Sequence, residues 1–274
     1  MAFKGNLPSR VLITALMAVA FGQGCSIKED RALCPCSFFL DFSGVDPELA
    51  EMSEIRIEAA DGFLYYDPEV SFKAGQDKSG SAEGFLYGVS VPKTSVSVSV
   101  INGAGAFSSS DSRILIPLGE ECPPVYMHYS KLDLQAETYR ELVVLHKDFC
   151  TINIRMLKDD SPYPFDVTVT GNINSINEDR TVSPGDFSFT VTPQPDGTAG
   201  VRVPRQTDNS LMLLIREEDK VLREFALGEY IAGAGYDWTA EDLDDVDISI
   251  DYAHAEIHVV VSDWSGSYEF DVVI

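Results

Sequence analysis

The chain has 274 residues, with 44 acidic and 20 basic side chains, so its formal net charge is −24 at pH 7. This charge excludes binding to nucleic acid, because contacts with phosphates require a basic surface. The length is sufficient for one large β-sandwich or for two domains of ordinary size, and we expect two domains.

Residues 1–24 have the pattern of a secretory signal peptide: a basic start, an apolar run and the small residue Gly24 before Cys25. The apolar run, residues 11–21, is too short for a spanning helix, which needs about 20 residues. A cysteine directly after a small residue at the cleavage point is typical of a lipoprotein. We therefore predict a lipid at Cys25 and an extracytoplasmic body with a net charge of −26. Ordinary secretion is the alternative.

Four cysteines remain if Cys25 carries a lipid: Cys34, Cys36, Cys122 and Cys150. An even number of cysteines in an exported chain predicts two disulfides. Because only Pro35 separates the first two, we expect each of them to bond with one of the two distant cysteines, in either of two pairings. These bonds would fasten the lipidated leader, residues 25–36, to the body. The spacing matches no standard zinc site.

The first block, residues 37–138, is predicted to be an N-terminal β-sandwich. Within it, Asp46–Met52 has the pattern of a short helix, with Asp46 as the N-cap and Pro47 at the first helical position. Elsewhere apolar and polar residues alternate, which predicts strands with one solvated face. The uncharged stretch Ser95–Val100 fits either an interior strand or an edge to which another chain adds a strand.

The second block, residues 139–274, is predicted to be a C-terminal β-sandwich. Short apolar stretches recur at intervals of roughly 8 to 12 residues and are separated by Gly, Pro, Asn and Asp, which is typical of such folds. A short helix is expected at Thr239–Leu243, capped by Thr239. The sequence ends in a strand pattern, Tyr268–Ile274, which we expect to complete a sheet. The predicted fold class is all-β.

Two groups of side chains could suggest a metal. His254, Glu256 and His258 share one face of a predicted strand, and we interpret them as its solvated face, because the metalloprotease motif has different spacing and is helical. The acidic run Glu241–Asp247 lacks the central glycine and closing glutamate of a calcium loop. No serine-nucleophile elbow or glycine-rich phosphate loop occurs. We predict no catalytic site, no cofactor and no metal.

Three stretches together resemble the fimbrillin-associated anchor family, the FimB-like and Mfa-like subunits of type V pili. The first is Cys25 followed by Ser-Ile-Lys-Glu-Asp and, before the first strand, by Cys-Pro-Cys at residues 34–36. The second is Gly-Glu-Glu-Cys-Pro-Pro-Val-Tyr at residues 119–126. The third is Val-Ser-Asp-Trp at residues 261–264 with the terminal strand pattern behind it. The resemblance covers the whole mature chain.

This resemblance implies two tandem transthyretin-like β-sandwich domains in a surface-exposed outer-membrane lipoprotein. Such a protein forms the base of a fimbrial shaft and supports its assembly, attachment and length control. Polymerising subunits are cut by an arginine-directed protease, but a cut at Arg31 would remove only the leader here. The Cys34 and Cys36 staple lies directly after that position, and we therefore interpret the chain as an anchor or accessory subunit rather than the shaft.

The expected partner is a shaft subunit that adds a strand to an edge of this protein. Between Ser95–Val100 and the terminal strand, we favour the terminal strand, because a terminus can be exchanged between chains without breaking a hairpin. The partner-binding candidates are Tyr268, Phe270, Val272 and Ile274. The alternative function is a surface glycan-binding lipoprotein, whose signature would be exposed aromatic residues on one sheet face, for which the sequence offers Trp238 and Trp264.

Overall fold

A computed structural model describes residues 34–70, 85–105, 113–157, 165–217, 220–251, 256–263 and 266–272. The predicted signal peptide and the lipidation site Cys25 lie outside these residues, as do Arg31, His254, Trp264 and Ile274. The described fold is all-β, as predicted, with two short helices. Four sheets form two layered sandwiches, each around its own hydrophobic core.

The first sandwich has a three-stranded sheet that faces a five-stranded sheet. The three strands, in spatial order, are β4 (Leu86–Val91), β1 (Cys36–Asp41) and β8 (Thr138–Leu142). The five strands are β3 (Leu64–Asp67), β2 (Glu54–Ala59), β5 (Ser95–Asn102), β7 (Tyr126–Asp133) and β9 (His146–Lys147). Alternation sets the faces, because inward residues such as Phe38, Ile55 and Val98 are fully buried between the sheets.

The second sandwich packs a sheet of five strands against a sheet built on four. The five-stranded sheet has the order β13 (Thr198–Pro204), β10 (Phe149–Leu157), β16 (Val246–Asp251), β17 (Glu256–Asp263) and β18 (Gly266–Val272). The facing sheet has the order β12 (Val182–Val191), β11 (Asp166–Asn177), β14 (Met212–Glu217) and β15 (Lys220–Phe225). Ile152, Val169 and Leu213 are fully buried between them.

The middle of the chain contributes to both sandwiches. The short strand β6 (Arg113–Leu115) pairs with β11, and the neighbouring side chains of Ile114 and Ile116 belong to the second core. Strand β8, which contains the predicted boundary between residues 138 and 139, pairs with β1 in the first sandwich. The chain therefore contributes β6 to the second sandwich before β7, β8 and β9 return to the first. From β10 onward, all described strands belong to the second sandwich.

The predicted first helix is present as α1 (Pro47–Glu51), and the Asp46 side chain caps it by accepting a hydrogen bond from Glu48 N at 2.9 Å. The predicted helix at Thr239–Leu243 was wrong, because this stretch forms turns. There the Asp237 carboxylate accepts a hydrogen bond from Thr239 N at 2.8 Å, which closes a local turn instead of starting a helix. The second helix is α2 (Leu227–Gly233), which directly follows β15.

The stretch Ser95–Val100 is an interior strand. It forms most of β5, which pairs with β2 on one side and with β7 on the other. Val96, Val98 and Val100 face the first core, and the serines between them face outward. Its backbone groups are therefore already paired, and this stretch is not an edge to which a partner could add a strand.

The two predicted disulfide pairings are absent. All four described cysteines are free thiols; Cys34 is exposed, whereas Cys36, Cys122 and Cys150 are buried. Cys36 packs in the first core, but Cys122 and Cys150 both pack in the second, so no leader cysteine lies beside a distant one in the same core. Burial raises the pKa of Cys150 to about 12 and also raises that of Cys122, which favours the protonated thiols.

Candidate functional site

The terminal strand β18 lies at one edge of the second sandwich. It pairs antiparallel with β17, placing Tyr268 opposite Val261, Phe270 opposite Val259 and Val272 opposite Ile257. No other described strand pairs with it, so the backbone groups on its outer side have no strand partner within the described residues. An unpaired edge of this kind is a template for strand addition by another chain. Of the four candidates, Ile274 lies outside the described residues.

The opposite edge of the same sheet, β13, is bound by a neighbouring segment at Arg202. Cys122 N donates a hydrogen bond to Arg202 O at 3.3 Å, and Arg202 N donates to the Glu121 carboxylate at 2.9 Å. The Arg202 guanidinium also forms an ion pair with Glu121 and donates to Cys122 O at 2.9 Å. Residues 121 and 122, part of one stretch that carries the family resemblance, therefore occupy the backbone N–H and C=O of Arg202, in the middle of this edge.

A charged cluster fastens the β13 side further. Asp148 is fully buried directly before β10, and it accepts hydrogen bonds from Arg180 Nε at 2.8 Å and from Arg205 Nη2 at 2.8 Å. Two cations therefore surround one buried carboxylate. Such a cluster is tolerated in a protein interior only when its hydrogen bonds are satisfied. Arg205 follows β13 in the chain, so the cluster joins the end of β13 to the start of β10.

The same cluster connects the two sandwiches through the turn between β11 and β12. Arg180 has a positive φ of 64°, a left-handed conformation that costs a non-glycine residue about 1–2 kcal/mol. In the same turn, the Glu178 carboxylate lies 2.9 Å from Arg56 Nε, and Ser99 Oγ donates to Glu178 O at 3.3 Å. The turn therefore binds strands β2 and β5 of the first sandwich and Asp148 at the start of the second.

The acidic run Glu241–Asp247 holds the start of the second sandwich. Asp242 accepts from Lys147 N at 2.8 Å and lies 3.2 Å from His146 Nδ1. Asp245 accepts from Lys147 Nζ at 2.6 Å and from Thr151 N at 2.7 Å. Burial alone would raise the pKa of Asp242, but the hydrogen bonds from Lys147 and His146 outweigh it and lower that pKa. These carboxylates act as local structural acceptors.

The histidine group adds little to a functional site. Its segment is a strand, as predicted, because β17 includes Glu256 and His258, and His258 is opposite Ser249 on β16. Among the described residues, no group of three or more His, Cys, Asp or Glu side chains is arranged to hold a metal ion. The described ranges also contain no helix that is both long enough and apolar enough to cross a membrane.

Sequence reasoning missed the Asp148 cluster. Arg180 lies 32 residues after Asp148 in the chain and Arg205 lies 57 residues after it, so no local spacing connects them. The available signal was indirect. Asn177-Glu-Asp-Arg180 interrupts two strand patterns as a turn does, and Asp148 directly precedes Phe149, where the apolar pattern of β10 begins. Neither pattern identifies its partner.

Comparison with known proteins gives similarity in structure only. Neither the protein-family models nor the curated protein sequences contain a match. A candidate polysaccharide-binding protein from Bacteroides thetaiotaomicron aligns with a TM-score of 0.57 and 11% identity, over 86% of this chain and 98% of its own. A candidate adhesin from Bacteroides ovatus aligns with a TM-score of 0.54 and 11% identity, over 86% and 96%.

The fimbrial anchor protein Mfa2 from Porphyromonas gingivalis aligns with a TM-score of 0.48 and 10% identity, over 84% of this chain and 98% of Mfa2. At identities this low, similarity establishes the fold alone, and the two alignments with the higher TM-scores carry that conclusion. The all-β sandwich architecture that the sequence resemblance implies is therefore confirmed, and this chain shares its fold with a candidate polysaccharide-binding protein and a candidate adhesin.

Proposed function

We propose that this chain is an anchor or accessory subunit of a type V fimbria, held on the outer membrane by a lipid at Cys25. The observation that carries the proposal is the difference between the two edges of the five-stranded sheet, since the backbone of Arg202 in β13 is already bound and β18 has no described strand beside it. The sequence stretches that resemble the anchor family and the fold shared with a candidate adhesin support it.

In this proposal, a shaft subunit adds a strand to the outer edge of β18. The new strand satisfies the outward N–H and C=O groups of β18, and side chains at alternate positions give specificity. The lipid at Cys25 attaches the protein to its other partner, the membrane. A polymer that grows from β18 is therefore attached at its base, which provides attachment and a fixed end for length control. No reaction is involved, and the protein is not an enzyme.

The test is copurification with sheared fimbriae. The full-length chain should be found in the surface-shear fraction together with a fimbrial polymer. A chain without residues 268–274 should remain on the cell while fimbriae detach, because the membrane anchor is intact but the binding edge is lost. Absence of the full-length chain from fimbriae, or normal attachment of fimbriae in the truncated strain, would contradict the proposal.

The lipid is tested separately with Cys25→Ala. This variant should leave the membrane fraction while it still copurifies with the polymer, because a lipid with two or more chains is needed for stable anchoring. If Cys25→Ala stays with the membrane and is released only by detergent, the lipoprotein part is wrong, whereas the fimbrial part is unaffected.

A further inference from the structure

Two tyrosines of the first sandwich are in contact between its two sheets. Tyr65 lies on β3, an edge strand of the five-stranded sheet, and Tyr87 lies on β4, an edge strand of the three-stranded sheet. Both side chains are partly buried and pack against the first core. The two hydroxyl groups are in hydrogen-bond contact, and the ring centroids are 6.5 Å apart at an interplanar angle of 58°. A pair of phenol rings therefore connects the two sheets at this side of the sandwich.

A carboxylate completes this group. The Tyr87 hydroxyl donates a hydrogen bond to Asp67, which shares a face of β3 with Tyr65 because one residue separates them. A hydroxyl has a single proton to donate, so the Tyr65 hydroxyl donates to the Tyr87 oxygen. Burial and the hydrogen bond to Asp67 raise the pKa of Tyr87, which keeps the phenol protonated. A chain of hydrogen bonds therefore runs from Tyr65 through Tyr87 to a carboxylate.

This arrangement suits the oxidative coupling of two phenols. A phenol that loses an electron also loses its proton, and a carboxylate already hydrogen-bonded to the hydroxyl can accept that proton directly. The unpaired electron of the resulting phenoxyl radical is shared with the two ring carbons beside the oxygen, the ortho carbons. Because the hydroxyls of Tyr65 and Tyr87 are in contact, ortho carbons of the two rings are close neighbours. The reacting groups are therefore already held near each other.

We propose that Tyr65 and Tyr87 are a site of oxidative cross-linking, at which a dityrosine bond joins β3 to β4. The oxidant is hydrogen peroxide acting through a haem peroxidase, which takes one electron from each phenol. The proton of Tyr87 passes to Asp67 and the proton of Tyr65 passes to solvent. The two radicals then form a bond between ortho carbons, and the hydrogens on those carbons move as protons to the phenol oxygens. One peroxide molecule takes up two electrons and two protons to give two water molecules, and the chain loses two hydrogen atoms.

The cross-link fastens the two sheets of the first sandwich covalently. It joins two residues that are 22 positions apart in the chain. Such a bond removes conformational freedom from the unfolded chain, as a disulfide does, and it therefore stabilises the folded sandwich. The four described cysteines, by contrast, are free thiols and supply no covalent link. The site is separate from the β18 edge and from the fimbrial function proposed above.

The experiment treats the full-length chain with hydrogen peroxide and a haem peroxidase. Dityrosine is followed by its blue fluorescence, and mass spectrometry with fragmentation identifies which tyrosines are linked. Tyr65→Phe and Tyr87→Phe each remove one phenol oxygen and keep the ring that packs against the core. The matched control is Tyr66→Phe. Tyr66 is next to Tyr65 in the chain and is 51% exposed, but its hydroxyl donates to Glu54 and not to a tyrosine.

The proposal expects one main product, a monomer in which Tyr65 and Tyr87 are linked with the loss of two hydrogen atoms. This product should be absent in Tyr65→Phe and Tyr87→Phe and present in Tyr66→Phe, and it should raise the urea midpoint of the treated chain. Asp67→Asn replaces the carboxylate with an amide that accepts a proton poorly, so the product should form several-fold more slowly.

Three results would overturn the proposal: no link between Tyr65 and Tyr87, a main product that contains Tyr66, or a product that survives in Tyr87→Phe. The first would mean that the hydroxyl contact is a structural link between the two sheets and not a reactive site. The linked tyrosines are identified on the unaltered chain, so this result can be obtained even if a variant has a lower Tm.

Discussion

Strands β13 and β18 form the two edges of one five-stranded sheet, yet the outer backbone groups of the two strands have different partners. At β13, the backbone of Arg202 is bound by residues 121 and 122, and the strand end is fastened by Arg205 to the buried Asp148. At β18, no described strand or loop pairs with the outer side. Exposed edges promote aggregation, so proteins usually cover or charge them. The two edges therefore differ at Arg202, and in the function proposed above the outer side of β18 receives the strand of a partner.

The largest expected effect is a loss of stability when the Asp148 cluster, which holds the end of β13, is broken. Asp148→Ala leaves the partly buried Arg180 and Arg205 without their shared, fully buried carboxylate, and we expect a loss of about 3 kcal/mol in the free energy of unfolding. Urea denaturation followed by circular dichroism measures it. The control is Asp247→Ala, an exposed aspartate on the same sheet, for which the loss should stay below about 1 kcal/mol. Equal losses in the two variants would show that the cluster does not hold this edge.

A smaller effect is expected from opening the β13 edge itself. Glu121→Ala removes the acceptor of Arg202 N and the ion pair with its guanidinium, which should cost about 1–3 kcal/mol. Hydrogen exchange should then be faster at the amides of β13, while those of β18 remain unchanged. Unchanged protection of β13 would mean that residue 121 does not contribute to covering this edge.

The third prediction distinguishes the side of β18 that is hydrogen-bonded to β17 from its outer side. In an antiparallel strand, successive N–H groups point alternately toward the neighbouring strand and away from it. Of the two variants Glu269→Pro and Phe270→Pro, one therefore removes an inner hydrogen bond to β17 and the other removes an outer donor. We expect one variant to be destabilised, and the other to keep its stability but lose fimbriae. If fimbriae stay attached in both variants, the outer edge of β18 is not the contact.

The smallest effect concerns pH and lies away from both edges. Burial lowers the pKa of His128 below its usual value, and its Nδ1 accepts a hydrogen bond from Val144 N. Because the unfolded chain takes up this proton more readily, stability should fall as the pH drops below about 6.5. His128→Asn keeps an acceptor near Val144 N and does not titrate, so its urea midpoint should fall less between pH 7.5 and 5.5. An equal fall would contradict this assignment.

The sequence predicted the features that depend on local pattern. Alternation identified β10, in which Ile152 and Ile154 are buried and Asn153 and Arg155 are exposed. The N-cap at Asp46 was also correct, because capping requires only a neighbour in the chain. Thr239 shows the limit of this reasoning, since its N–H and its hydroxyl both donate to the Asp237 carboxylate, which closes a turn and engages the hydroxyl that would have capped a helix.

Features that join distant parts of the chain could not be predicted. Cysteine parity indicated two disulfides, but it carries no information on which core each thiol enters, and Cys36 enters a different core from Cys122 and Cys150. Likewise, nothing local indicates that Arg180 and Arg205 would both reach Asp148. These contacts depend on the topology, which brings β10, β13 and the β11–β12 turn together.

The most direct test of the unequal edges is hydrogen exchange on the full-length chain, measured alone and bound to purified fimbriae. Alone, the outward amides of β18 should exchange faster than the Arg202 amide of β13, which donates to the Glu121 carboxylate. On binding, protection should rise at Gly266–Val272 and remain unchanged at Thr198–Pro204. Protection that rises at β13, or that leaves β18 unchanged while fimbriae are bound, would contradict the account.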